Sequence, residues 1–124
     1  GYGTFEWGAC SLSTERCNVA ALENKGLTIR FSVKNTSERG GYIVPQIYVT
    51  DVAASTVRRV KELKAFQKVW LDAGQERTVS LQLGKEAFCL WNQKMKYVAE
   101  PGVFQIELSD SAQTIWKGEF TLCI

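Results

Sequence analysis

The chain contains no histidine. That removes the usual general base near neutral pH and the commonest metal ligand. No apolar run approaches the roughly 20 residues needed to span a bilayer, so no membrane span is expected. Charge of one sign is also missing: 15 basic and 13 acidic residues leave a net charge of +2. Such a balance sets up no strong field to draw in nucleic acid or an acidic membrane surface. The four cysteines, Cys10, Cys17, Cys89 and Cys123, lack the closely paired spacing of a zinc knuckle. They read as free, mostly buried thiols that fill small gaps in a core, with a Cys10–Cys17 bridge as the alternative. No internal repeat, low-complexity segment or linker interrupts the chain. It begins at Gly1 rather than Met, which reads as a processed or excised piece of a longer protein and leaves its compartment open.

What is present is a succession of strand patterns. With 124 residues, 45% of them apolar, the chain is long enough for one domain with a real core. Residues 27–36 alternate cleanly: Leu27, Ile29, Phe31 and Val33 share one face, Thr28, Arg30, Ser32 and Lys34 the other. Residues 35–41 supply turn chemistry. The stretch 41–51 alternates again, with Ile43, Ile47 and Val49 on one face. Its other face, Tyr42, Val44, Gln46 and Tyr48, is unusually apolar. Pro45 cannot donate to a ladder, so this strand is expected at an edge or bulged there. Ala73-Gly74 marks a turn before a strand in which Val79, Leu81 and Leu83 point inward. Residues 85–91 suggest one helical turn. Strands at 97–99 and 103–109 are expected to join through Glu100-Pro101-Gly102, with Pro101-Gly102 at the centre of a type II turn. Phe104, Ile106 and Leu108 then face the core, as do Trp116, Phe120 and Leu122 of a last strand at 115–123. With an opening strand near 5–12, about seven strands result. The expected fold is all-β: a two-sheet antiparallel sandwich of immunoglobulin-like or fibronectin type III-like form.

The order LTIRFSVKNTSERGG, QIYVTD, VRRVKELKAFQKVWLDAG, TVSLQL, EPGVFQIELSDSA resembles the C-terminal fibronectin type III-like domain of family 3 glycoside hydrolases, the β-glucosidase and β-xylosidase group. The segment KELKAF with its following Gly-containing turn, and EPG ahead of the last strands, carry most of the likeness, which covers roughly residues 1–122. The chain departs from the family pattern at Arg59, where Pro is common, and at Ala65, where Gly is common. The resemblance implies that residues 1–124 are a single accessory domain from a larger enzyme. Its role would be to pack against and stabilise the catalytic domains of the same parent chain. The parent would hydrolyse terminal β-linked sugars. The nucleophilic aspartate of that family belongs to an upstream barrel domain, which this chain does not contain.

The residues themselves agree with a non-catalytic reading. Glycoside hydrolysis needs two carboxylates about 5–9.5 Å apart flanking the bond, and no acidic residue here sits in a motif that would hold such a pair. No catalytic, cofactor-binding or metal-binding residue is therefore expected, and no cofactor. The basic run Arg58, Arg59, Lys61, Lys64 and Lys68 is broken by Glu62 and has no interleaved stacking aromatics, so it reads as a solvated or docking segment, with no nucleic-acid partner. Trp7 and Trp116 fall on core patterns. Trp70 and Trp91 are the surface candidates, which leaves direct sugar binding as the weaker reading. Asn35-Thr36-Ser37 matches a glycosylation sequon in an accessible-looking turn, taken as incidental. The double-sided strand at 41–51, followed by charged residues and one aromatic, singles out Val44, Gln46, Tyr48, Arg58, Lys61, Glu62 and Phe66 as forming or bordering an interdomain docking surface. The alternative is an independent carbohydrate- or protein-binding module, or a stand-alone adhesion domain; fold alone does not separate these.

Overall fold

A computed structural model describes residues 4–52, 60–91, 94–111 and 113–124. The strands in chain order are β1 (Phe5–Leu12), β2 (Arg16–Asn18), β3 (Leu27–Asn35), β4 (Gly41–Ile43), β5 (Gln46–Asp51), β6 (Lys61–Phe66), β7 (Val69–Leu71), β8 (Glu76–Leu83), β9 (Cys89–Trp91), β10 (Tyr97–Ala99), β11 (Gly102–Ser109) and β12 (Thr114–Cys123). One helix, α1 (Val19–Lys25), and a 3-10 turn, Lys85–Phe88, complete the described residues. The all-β sandwich expected from the pattern is the fold observed. Beyond the seven strands read from the sequence, one more arises where 41–51 splits into β4 and β5, and β2, β6, β7 and β9 form in segments whose sequence does not read as strand.

One sheet has the order β1-β3-β8 and the other β2-β12-β11-β5-β6. All these pairings are antiparallel except β2 with β12, which is parallel. The inward faces are those that alternation marks. Leu27, Ile29, Phe31 and Val33 of β3, Val79, Leu81 and Leu83 of β8, Ile47 and Val49 of β5, and Phe104, Ile106 and Leu108 of β11 are all buried. Phe120 and Leu122 of β12 join them. The 3-10 turn adds Phe88, fully buried, with ring centroids 5.0 Å from Phe104 and 5.1 Å from Phe120. Trp7 lies against Phe31, centroids 5.5 Å apart, and Trp116 lies over Gly118, where a Cβ would collide with the indole. Both tryptophans are thus attached to the core, as their strand positions suggest.

Helix α1 was not expected, for its seven residues contain one buried side chain, Leu22, too little for a visible period. Its ends are nonetheless well formed. The Asn18 side chain accepts from the Ala21 amide at 2.8 Å, and Gly26, at φ 68°, donates its amide to the Leu22 carbonyl.

Three local expectations are corrected. Pro45 does not mark an edge strand, because β5 lies between β11 and β6. Instead it splits the pattern in two: β5 pairs with β11 and β6, while β4 pairs only with β7. The missing amide ends the pairing at Pro45, whose carbonyl still accepts from the Gln67 amide at 3.2 Å. Next, β10 and β11 are not hairpin partners; β10 pairs with β9 and β11 with β12 and β5. Gly102 is not among the glycines with positive φ, which are Gly26 and Gly74, so no type II turn forms at Pro101-Gly102 and Gly102 opens a strand. Last, Asn35 of the sequon is wholly buried rather than accessible. Its amide nitrogen donates to the carbonyls of Arg39 and Leu71, and its oxygen accepts from the amide and hydroxyl of Ser37.

Candidate functional site

The segment KELKAF forms an edge strand rather than a loop. Its register explains what the outward face of the five-stranded sheet displays. Thr50 pairs with Lys61, Val49 with Glu62 and Tyr48 with Leu63; after a bulge at Lys64, Ile47 pairs with Ala65 and Gln46 with Phe66. A one-residue bulge resets the alternation. Leu63 and Phe66, three apart, therefore both lie on the face of Tyr48 and Gln46. Glu62 falls opposite the buried Val49, on the other face, and is ion-paired with Lys64 at 3.6 Å.

Of the sequence-singled residues, Gln46, Tyr48, Lys61 and Phe66 are thus brought together. Val44 is half-buried at the break beside Pro45, Glu62 borders the patch from the opposite face, and Arg58 lies outside the described residues. Phe66 is 67% exposed and Leu63 43%. Leu63 was not singled out from sequence, because the segment reads as a solvated or docking stretch and not as a strand with two faces. The β4–β7 ribbon continues the same hairpin in phase, since Tyr42 pairs with Trp70 as Gln46 pairs with Phe66.

Beside Tyr48, on the β11 side of the patch, sits a carboxylate that sequence reasoning passed over. Glu107 of β11 pairs across from Tyr48 and is buried, although it is on the outward face. Its Oε2 accepts from Lys61 Nζ at 3.2 Å, Ser109 Oγ at 2.8 Å and Thr114 Oγ1 at 3.1 Å. The Lys61 ammonium also lies 4.9 Å from the centroid of the Tyr48 ring, whose hydroxyl donates to Gln46 Oε1 at 3.2 Å. Burial pushes the Glu107 carboxyl up, but the hydrogen bonds from Ser109, Lys61 and Thr114 and the charge on Lys61 outweigh it. The group is held below its ordinary value. It is an ionised structural partner, the reverse of the raised carboxyl that a glycosidic general acid requires.

A pH dependence follows. A carboxyl depressed in the folded state adds stability above its unfolded pKa, and that stability is lost as pH falls through the folded value. Denaturant midpoints should therefore fall on acidification from pH 7 to pH 3, and Glu107→Gln should flatten the fall. If the two proteins show parallel profiles, Glu107 is not a source of the pH dependence.

The basic run disperses into local partners: Lys61 onto Glu107, Lys64 onto Glu62, and Lys68 over the Tyr42 ring, 4.2 Å from its centroid. No continuous cationic track for a phosphate backbone results from these three. All four cysteines are free. Burial pushes the Cys10 thiol up to about 11 and also raises Cys17 and Cys89, so these three are poor nucleophiles near neutral pH. Among the described residues no three of Cys, Asp and Glu are grouped to hold a metal ion. Among the described residues no helix is long and apolar enough to cross a membrane.

The molecule so described is a β-sandwich with an outward patch of aromatic, aliphatic and paired charged side chains on one edge hairpin. A family model for the fibronectin type III-like domain matches residues 43–112, and the chain belongs to that family. Relatives agree. A periplasmic β-glucosidase of Salmonella typhimurium is 37% identical over 98% of the chain, and a β-xylosidase of Formosa agariphila is 37% identical over 90%. A β-glucosidase from Listeria innocua, solved in complex with glucose, superposes with a TM-score of 0.83 at 37% identity over 98% of the chain. The chain spans only 16%, 15% and 16% of the lengths of these three proteins.

Proposed function

We propose that the chain is a single non-catalytic accessory domain, part of a larger glycoside hydrolase of β-glucosidase or β-xylosidase type. Its outward hairpin face docks on the catalytic domains of the same parent and stabilises their arrangement. One observation carries the reading: 98% of this chain aligns with 16% of a β-glucosidase. Most of such an enzyme, and the machinery for hydrolysing terminal β-linked sugars, would then lie elsewhere.

Phe66 and Leu63 suit the docking role. A large, exposed apolar side chain on a rigid edge strand, rimmed by Lys61, Glu107 and Gln46, has the character of a domain interface with its partner removed. Burying what remains exposed of Phe66 and Leu63 would contribute about 2–3 kcal/mol on docking, before ordering costs.

The test uses a Tyr48→Ser, Phe66→Ser double variant, with Leu63→Ser, Phe66→Ser as a second pair that leaves the half-buried tyrosine intact. In the isolated chain the Leu63/Phe66 pair should shift stability by no more than about 0.5 kcal/mol per site, as for exposed positions. In the full-length parent either pair should lower the melting temperature and the retained activity by clearly more. Equal losses in both contexts would make these residues part of the domain's own core and end the docking reading.

A further inference from the structure

The β4–β7 ribbon carries a second aromatic feature that the docking patch does not require. Trp70 lies across from Tyr42, and Lys68 and Asp72, just outside either end of β7, reach the two rings: Lys68 the Tyr42 ring and Asp72 the Trp70 indole. The core-facing positions of the same ribbon, Ile43, Val69 and Leu71, are buried, whereas Tyr42 is 56% and Trp70 44% exposed. The indole is held along one edge. Its Nε1–H donates to Asp72 Oδ1 at 2.8 Å, and its Cζ2 abuts Gly40, where a Cβ would come within 2.3 Å. The Arg77 guanidinium donates to the Trp70 carbonyl at 3.3 Å and steadies the strand beneath. Tyr42 stands beside the indole at 71°, ring centroids 4.8 Å apart, with the Lys68 ammonium over its ring.

From this geometry we infer that Tyr42 and Trp70 form a binding corner for one pyranose ring of a neutral oligosaccharide, with Lys68 and Asp72 addressing its hydroxyls. A pyranose presents an apolar face of axial C–H groups, which stacks on an aromatic ring. Its equatorial rim is polyhydroxylated and needs both a donor and an acceptor nearby. An ammonium and a carboxylate of opposite sign on either side of two rings supply both without selecting for net charge, which disfavours a nucleotide or an anionic peptide. The charges beside Leu63 and Phe66 are ion-paired with each other, Lys61 with Glu107 and Lys64 with Glu62, so these two side chains suit a protein surface instead. A rotationally fixed indole also loses little freedom on stacking, so its contribution is not spent on ordering. A role confined to holding β4 against β7 would not need the rings exposed.

The corner continues the same hairpin in phase but uses none of the docking residues, and only the choice of sugars to try rests on the proposed parent activity. The probes are neutral β-linked gluco- and xylo-oligosaccharides added to the isolated 124-residue chain. Binding is followed by calorimetry, tryptophan fluorescence and backbone amide shifts. Expected is saturable binding, with shifts centred on Gly40, Tyr42 and Trp70. Trp70→Ala should weaken it about tenfold or more, Tyr42→Ala less, and Phe66→Ser not at all. Trp70→Phe guards against a misfolded ribbon, since it keeps a ring and should retain part of the affinity. No saturable response with sugar up to the order of 10 mM, shifts centred on Tyr48 and Phe66, or undiminished binding by Trp70→Ala would each overturn the inference. So would loss of parent stability in Trp70→Ala without any sugar binding by the chain, which would assign the pair to a protein contact. None of these failures bears on the docking reading, which is tested with Leu63 and Phe66 in the parent.

Discussion

Replacing Phe88 with alanine should destabilise the chain by about 3–5 kcal/mol, the range for a fully buried aromatic truncated in a core. Phe88 belongs to no strand. It comes from the 3-10 turn after β8 and closes the space between Phe104 of β11 and Phe120 of β12, both themselves buried. Alanine removes the ring that touches both and leaves a cavity walled by two rigid strands, which can collapse little. Domains of this size have only about 5–15 kcal/mol of stability in total, so the variant should unfold well below the wild-type denaturant midpoint. Phe88→Leu should recover part of the loss. A shift of less than about 1 kcal/mol would show that the turn is a loose cover and not part of the packed core.

Asn35→Ala should cost at least about 1–3 kcal/mol, because it leaves the buried Leu71 carbonyl without the hydrogen bond from Asn35. Asn35 ends β3, and its side chain ties that end to two other segments. The amide nitrogen reaches the carbonyl of Leu71 in β7 at 3.1 Å and that of Arg39 at 2.8 Å, while the oxygen holds the Ser37 amide and hydroxyl. Its backbone joins the same knot, its amide donating to Gln75 and its carbonyl accepting from Gly74. Asn35→Asp is the sharper experiment. A carboxylate keeps the acceptor but cannot donate to Leu71 or Arg39, so it should be at least as destabilising as alanine near neutral pH. An aspartate variant as stable as wild type would mean that the donated bonds contribute little. The same geometry predicts that the folded chain is a poor acceptor for glycan at its sequon, checked by intact mass after exposure to a glycosylating extract.

The limits of sequence reading fall at particular residues. The bulge at Lys64 cannot be seen in KELKAF, because an extra residue shows only against its partner strand; the segment reads as a solvated or docking stretch, so no face is assigned to Leu63, and Glu62 is grouped with Lys61 although the two lie on opposite faces of β6. Glu107 occupies an outward position of a regular alternation, where a charged residue is ordinary. That it is buried follows from neighbours 46 residues earlier and seven later, Lys61 and Thr114. Pro45 announced an interruption, but which side lost its partner depended on where β11 ends. Pro101-Gly102 has good turn composition, yet composition does not say whether the flanking strands pair with each other.

The sequence by itself determined the class of fold, the inward faces of β3, β5, β8, β11 and β12, the core attachment of Trp7 and Trp116, and the family likeness. All of these are written in local alternation and in the order of segments, because apolar residues at period two must turn to one side of a strand whatever it pairs with. Only the tertiary structure decided which outward side chains meet. The grouping of Gln46, Tyr48, Leu63, Lys61 and Phe66 on one face beside Glu107, and the standing of Tyr42 against Trp70, depend on register, on one bulge and on a broken ladder. Those are properties of pairs of strands distant in the chain, and no single segment carries them.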